Sequence, residues 1–336
     1  MGERHANVDI IADPSDESRR QELQSRLVAI EEEINRVIES ERGEPEILYE
    51  TAQHLLQAGG KRIRSLLTTL SCEAVGGTFE EALPFAIATE FVQTASLIHD
   101  DVIDEDDTRR GVESTHKKYG NRMAIIAGDL LIAQAVKIVS KFSSPELMYV
   151  IADAGVKMCE GEASDILMYF TTPKLLTKEA YFEIVRRKTV SFMRAAIKIG
   201  GMVGKATEDQ LAILDSFGEQ MGYAFQIRDD ILDVIASTTT TGKTVHSDLK
   251  GSKTNYVLIH ALGACSESES TKCMDLLNEG SIEFALQLIE TTDAVKHASD
   301  LAQEYTEKAK EVIRNKGFMN EDLLCALADL AGDRDF

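Results

Sequence analysis

Apolar residues recur at three- and four-residue spacing along almost the whole chain, with Ala, Leu, Glu and Lys filling the gaps. No stretch alternates with period two, so the pattern predicts an all-α protein of about ten or more helices. The stripe Leu27, Ile30, Ile34 and Ile38 predicts a first helix beginning between Ser18 and Arg20. Residues 1–18 ahead of it are polar and read as a disordered N-terminus. Pro45 opens a second helix, Gly59-Gly60 stops it, and a third starts at Lys61. Further breaks fall at Gly76-Gly77, Arg110-Gly111-Val112, Ser143-Ser144-Pro145, Thr171-Thr172-Pro173 and the polar stretch 237–252. No flexible linker or composition shift divides residues 19–336, which read as one helical domain.

Two of these helical runs end in the same pattern. Asp100-Asp101-Val102-Ile103-Asp104 follows the apolar run Phe91 to Ile98, and Asp229-Asp230-Ile231-Leu232-Asp233 follows Met221 to Ile227. Spacings of three and four put each set of carboxylates along one helix edge. Like charges so close repel, unless a hard cation with a taste for oxygen sits among them; Mg²⁺ suits, since it is usually held by a few carboxylates together with substrate phosphates. A solvated acidic helix end is the bland alternative for the first cluster, where six of the eight residues 100–107 are acidic.

Basic residues accompany the clusters. Lys61 and Arg64, in Gly59-Gly60-Lys61-Arg62-Ile63-Arg64, are expected in the first turn of a helix, where backbone N–H groups also face an anion. Arg109 and Arg110 follow the first cluster and point in different directions, able to serve two anions or to pair with Asp106 and Asp107. Lys188-Thr189 lies in a helical run, and Lys243 and Lys253 fall in the irregular segment after the second cluster.

Composition narrows the partners. The 336 residues are 43% apolar and carry 57 acidic against 36 basic groups, a formal charge of −21 that would repel nucleic acid and an anionic membrane alike. No apolar run approaches a membrane span, because the nearest, Met123 to Val136, is broken by Asp129. The five cysteines (72, 159, 265, 273 and 325) are scattered, odd in number and without C-x-x-C spacing, which fits a reducing, cytoplasmic compartment.

Together these motifs, in this order, resemble the trans-prenyltransferase (polyprenyl diphosphate synthase) family from about residue 50 to residue 256: G-G-K-R-x-R at 59–64, the aspartate cluster with its arginines at 100–111, Gly128-Asp129, K-T at 188–189, F-Q-x-x-D-D-x-x-D at 225–233, T-G-K at 241–243 and Asp248-Leu249. The sequence departs from the family pattern at Ser65, where proline is common, and at His246 and Ser252, which replace loop glycines beside Lys253. The resemblance implies the isoprenoid synthase type I fold, a bundle of antiparallel helices around a central cavity, assembled as a homodimer. It also implies head-to-tail condensation of isopentenyl diphosphate with an allylic diphosphate, with three Mg²⁺ per active site when substrate is bound. On this resemblance Asp100, Asp104 and Asp229 hold metal, with Asp101, Asp230 and Asp233 as ligands or their supports. Arg109, Lys188, Thr189, Gln226, Lys243 and Lys253 hold the allylic diphosphate, and Lys61, Arg64, Gln93 and Arg110 the isopentenyl diphosphate. The growing chain would descend past Ser96, Ala95 and Val92, none of them aromatic, which implies a product longer than C20, with a C20 geranylgeranyl product as the alternative. A non-catalytic subunit of a two-component synthase is a rival from another class. His99 and Asp129 read as structural, Asp165 as a weaker match, and His246 has no sequence explanation.

Overall fold

A computed structural model describes residues 17–142, 144–169, 176–235, 246–250 and 253–332. Lys243, the other residues of 236–245 and nearly all of the expected disordered N-terminus lie outside the described residues.

The predicted helical stripes are buried. Helix α1 (Glu17–Ser40) sinks Leu23, Leu27, Ile30, Ile34 and Ile38, each 5% exposed or less. Helix α2 (Glu46–Gln57) starts directly after Pro45 and ends before Gly59 and Gly60, whose φ values of +83° and +147° no longer fit a helix. Helix α3 (Ile63–Ala74) begins two residues later than expected: Arg62 occupies the cap position in left-handed conformation (φ 46°), so Lys61 precedes the helix rather than sharing its first turn with Arg64. Helix α4 (Phe79–Ile103) opens on a reciprocal Thr78–Glu81 capping box, a motif that contributes about 1 kcal/mol.

A small hairpin follows, β1 (Thr108–Arg109) against β2 (Val112–Glu113), with Arg109 opposite Val112. Its two-residue turn, Arg110-Gly111, has positive φ at both positions (53° and 75°), as tight hairpins require. The chain continues through α5 (Thr115–Tyr119), α6 (Asn121–Val139), α7 (Pro145–Tyr169) and α8 (Lys178–Val185). A five-residue π turn (Arg186–Val190) then runs directly into α9 (Ser191–Val203). The remaining helices are α10 (Glu208–Ile235), α11 (Ser247–Lys250), α12 (Tyr256–Ala264), α13 (Glu267–Asn278), α14 (Glu283–Thr291), α15 (Ala294–Ile313) and α16 (Glu321–Gly332).

Helix α4 packs along α6 and α3, α9 along α3 and α10, and α10 along α15. Two apolar cores result. The larger joins α1 to α4, α6, α9 and α16 with the first half of α10, through residues such as Leu66, Phe91, Ile98, Met193 and Phe217. The smaller joins α8, the second half of α10, and α12 to α15 through Tyr181, Ile227, Ile231, Tyr256 and Leu288. The first aspartate cluster therefore stands at the end of a larger-core helix and the second on the smaller core.

Candidate active site

Both aspartate clusters lie at the C-terminal ends of long helices, α4 and α10. Asp100, Asp104, Asp229 and Asp233 are half-buried, whereas Asp101 and Asp230 are closed off at 0% and 1% exposure. Burial gives the middle aspartates protein partners, which is the supporting alternative of the sequence reading. Arg109 Nη2 lies 2.6 Å from Asp101 and 2.9 Å from Asp106. Asp230 accepts from Tyr181 Oη at 2.7 Å, from the Tyr256 backbone N–H at 2.7 Å and from Gln226 Nε2 at 2.9 Å.

Arg109, read as serving an anion or as pairing with Asp106, is 5% exposed and pairs with Asp101 and Asp106. Burial alone would lower its pKa, but those carboxylates hold it above the ordinary arginine value. Asp107 pairs with Lys117 instead, at 2.7 Å.

The clusters share the π turn between α8 and α9. Thr189 donates to Gln226 Oε1 at 2.7 Å, one turn before Asp230, while Lys188 reaches Glu162 at 2.6 Å and Asp165 at 2.9 Å on α7. Gly161 makes room for this approach, since a Cβ there would lie 2.4 Å from the Lys188 backbone nitrogen. Burial works to lower the Lys188 pKa, but Asp165, Asp100 and Glu162 hold it well above the usual lysine value. Burial pushes the Asp100 carboxyl upward, and neighbouring Asp104 and Asp101 add to this against the pull of Lys188 and Arg109.

The segment after α10 ties the clusters together. The Asp248 N–H donates to Asp233 Oδ2 at 3.2 Å, the Lys253 N–H donates to Asp248 O at 2.8 Å, and Lys253 Nζ lies 2.7 Å from Asp104 Oδ2. Thr254 donates to Asp165, the weaker sequence match, placing that residue between Lys188 and the segment. His246 adopts φ 58°, which accounts for the family's glycine there: the backbone is left-handed at this position, and histidine is held in it. Asn255 caps α12 through its side-chain oxygen and donates to Asp230 O at 3.1 Å. Lys253 thus keeps its place at the first cluster despite the altered loop.

The remaining basic residues lie in separate surroundings. Arg64 stacks over Phe192 and Phe225, its guanidinium carbon 5.5 Å from each ring centroid. Arg110 donates to Leu55 O at 3.1 Å and lies 3.2 Å from Glu90 Oε1. Glu90 is a residue that sequence reasoning missed; the available signal was a lone carboxylate inside the apolar run Phe85 to Phe91. Ser65, where the family favours proline, is fully buried and donates to Ala86 O at 2.9 Å. Gln93 is half-buried two turns before Asp100.

His99 is structural as read: its Nε2 lies 3.1 Å from Ile125 O, and a Cβ at Gly128 would come within 2.2 Å of it. Asp129, also read as structural, stands 66% exposed with its carboxylate 3.8 Å from His99. Below the first cluster Ala95 is fully buried and Ser96 bonds back to Gln93 O. Val92 packs with Val150, Ala154, Met158 and Phe192.

Residues 45–290 match the polyprenyl synthetase family. The chain belongs to that family. It is 37% identical to the short chain isoprenyl diphosphate synthase of Methanothermobacter thermautotrophicus, over 80% of this chain and 84% of that one. It is 31% identical to the octaprenyl diphosphate synthase of Haemophilus influenzae, over 84% and 87%. The crystal structure of geranylgeranyl pyrophosphate synthetase from Pyrococcus horikoshii superposes with a TM-score of 0.84 at 33% identity, covering 94% of this chain and 100% of that one. As a member of the polyprenyl synthetase family the chain is a prenyltransferase with the isoprenoid synthase type I fold.

The donor set suits a hard divalent cation. It consists of carboxylate oxygens from two helix ends, with lysines already drawn to two of its sides. Among the described residues no three His, Cys, Asp or Glu side chains converge into a preformed metal cage.

Proposed function

We propose that this prenyltransferase condenses isopentenyl diphosphate head-to-tail with an allylic diphosphate in a Mg²⁺-dependent reaction. The observation that carries the reading is the meeting of both aspartate clusters at Lys188-Thr189 and Lys253, cations and a hydroxyl placed among carboxylates. Asp100, Asp104, Asp229 and Asp233 would hold the metal, three ions with substrate bound. Bound there, Mg²⁺ supplies Lewis-acid stabilisation of the departing pyrophosphate. Lys188, Lys253 and Thr189, the last oriented by Gln226, bind the same group, while Asp101, Asp230 and Arg109 brace the helix ends. Lys243 belongs to this set by its motif alone.

The allylic C–O bond breaks with its electron pair on the pyrophosphate, the isopentenyl double bond attacks the allylic carbon, and a proton is lost. Among the described residues none is assigned as base, and the released pyrophosphate accepts the proton. Lys61, Arg64, Gln93 and Arg110 hold the isopentenyl diphosphate.

The small residues Ala95 and Ser96 support a product longer than C20. A C20 product is favoured by one observation, the packing of Val92 against a cluster that includes Phe192 from α9. The exposed stripe Ile125, Ile126, Ile132 and Val136 on α6, 41% to 51% exposed, supports a homodimer built on that face. Five free cysteines support the cytoplasm, and among the described residues no helix is long and apolar enough to cross a membrane.

The test is incorporation of labelled isopentenyl diphosphate with Mg²⁺ and C5, C10, C15 or C20 allylic starters, products being dephosphorylated and sized. A ladder ending at one length, abolished by chelation, is expected; Ala95→Phe should shorten it and Phe192→Ala lengthen it. No incorporation with any starter by folded protein would favour the non-catalytic subunit.

A further inference from the structure

Arg110, one of the cations assigned to isopentenyl diphosphate, is mounted on a buried charge network. Glu90, 2% exposed, faces two guanidiniums: Arg62 Nη1 at 2.5 Å and Arg110 Nη2 at 3.2 Å, both on Oε1. One carboxylate balances only one of them. The second negative charge comes from Glu31 on α1, which takes Arg62 Nε at 2.7 Å and Nη2 at 3.3 Å. Two carboxylates and two guanidiniums then balance, and Arg62 also donates to Leu56 O at 2.7 Å, closing the end of α2.

The consequence falls on Arg110. Glu90 and Leu55 O fix its two terminal nitrogens, which leaves further guanidinium N–H groups for an anion. Gly60 completes the mount: its φ is +147°, and a Cβ there would lie 3.1 to 3.3 Å from the Arg110 guanidinium, so the glycine lets the loop lie against that group. Helix α1 precedes residue 45, where the family match begins, so the outer half of the mount comes from outside the matched span.

We propose that Glu90 and Glu31 are positioning residues that set Arg110 for the diphosphate of the isopentenyl substrate, making affinity for that one substrate depend on the first helix. This rests on the assignment of Arg110 to isopentenyl diphosphate. Glu31 supplies Arg62 with a second carboxylate, so that Glu90, shared between Arg62 and Arg110, has charge to spare for Arg110. Weakening either carboxylate loosens an arginine that binding must then order at its own entropic cost.

The experiment is steady-state kinetics of the full-length protein with Mg²⁺, each substrate varied in turn, on E90Q, E31Q and R110Q, with melting temperatures alongside. E90Q should raise KM for isopentenyl diphosphate about tenfold and E31Q about threefold, with kcat and the allylic KM within about twofold of wild type. A purely structural role would lower the melting temperature without that split between substrates. An unchanged or lowered isopentenyl KM in E90Q and E31Q, or an equal rise for both substrates, overturns the proposal. Should E90Q fail to fold, the half-exposed Glu31 decides by the same criterion. R110Q separates the two levels. If it raises the isopentenyl KM while the glutamate variants do not, the mount is wrong and the site right; if it leaves that KM unchanged, the site assignment itself falls.

Discussion

The two aspartate clusters carry the same spacing on different foundations. The first stands on the larger core and neutralises its buried aspartate with a cation, Arg109, which also takes Asp106. The second stands on the smaller core and gives its buried aspartate three neutral donors: a phenol, an amide and a backbone N–H. Asp230 is pushed well above the carboxylate range by burial and by Asp248, which its three hydrogen bonds only partly offset. One motif is thus braced by charge and the other by dipoles, and the outer aspartates of each are the less buried ones. Repeated sequence need not mean repeated physics.

The largest effect should test whether the outer aspartates act as equal halves. Asp104→Asn and Asp229→Asn should each lower turnover by about 10²–10³-fold while leaving the melting temperature close to wild type. Near-normal turnover in either would show that one cluster works alone.

Next come the middle aspartates, where the comparison predicts unequal costs. Asp101→Asn leaves the buried Arg109 with Asp106 alone and should cost roughly 3 kcal/mol in urea unfolding, as breaking a buried ion pair does. Asp230→Asn should cost about 1 kcal/mol or less. Its remaining oxygen keeps Tyr181 and the Tyr256 N–H, and Gln226 can invert its amide to face the new donor while still bonding Thr189. Equal losses would erase the distinction between charge and dipole bracing.

The smallest effect is on pH dependence. Burial would raise the Glu90 pKa, but Arg62 and Arg110 overcome it and hold the group below the ordinary value. A carboxylate depressed in the folded state contributes stability that is present above its unfolded pKa and lost as pH falls through the folded one. The stability gap between wild type and E90Q should therefore narrow as pH drops below about 4.5. A constant gap from neutral pH into that acid range would show that the larger-core side is not braced by this charge.

The helical architecture was legible because burial imposes its period on the sequence, and the stops at Pro45 and Gly59-Gly60 were legible because backbone geometry permits little else there. The clusters and their lysines could be read from spacing. What could not be read was direction: spacing puts Asp100, Asp101 and Asp104 on one edge but does not say which of them turns inward, since that depends on Arg109 arriving from a hairpin whose strands are two residues long. Glu90 escaped notice because its partners lie 28 and 20 residues away along the chain, in elements that only tertiary packing unites. Lys61 was misplaced by two residues because Arg62 takes a left-handed backbone that sequence pattern gives no reason to expect of arginine.

The π turn at Arg186–Val190 also acts as a phase shifter. A straight α-helix from Lys178 to Val203 would present one continuous stripe, yet this rod must offer Tyr181 and Val185 to the smaller core and Met193, Ala196 and Ile197 to the larger. A π turn carries one residue more than an α turn, and that residue rotates everything downstream by roughly 100° about the axis. Removing a single residue between 186 and 190 would restore a regular helix at the expense of its heading: α9 would meet the larger core with the wrong side, and Lys188 would swing away from Glu162 and Asp165. The length of this five-residue stretch is therefore a gear setting, fixed independently of which amino acids fill it.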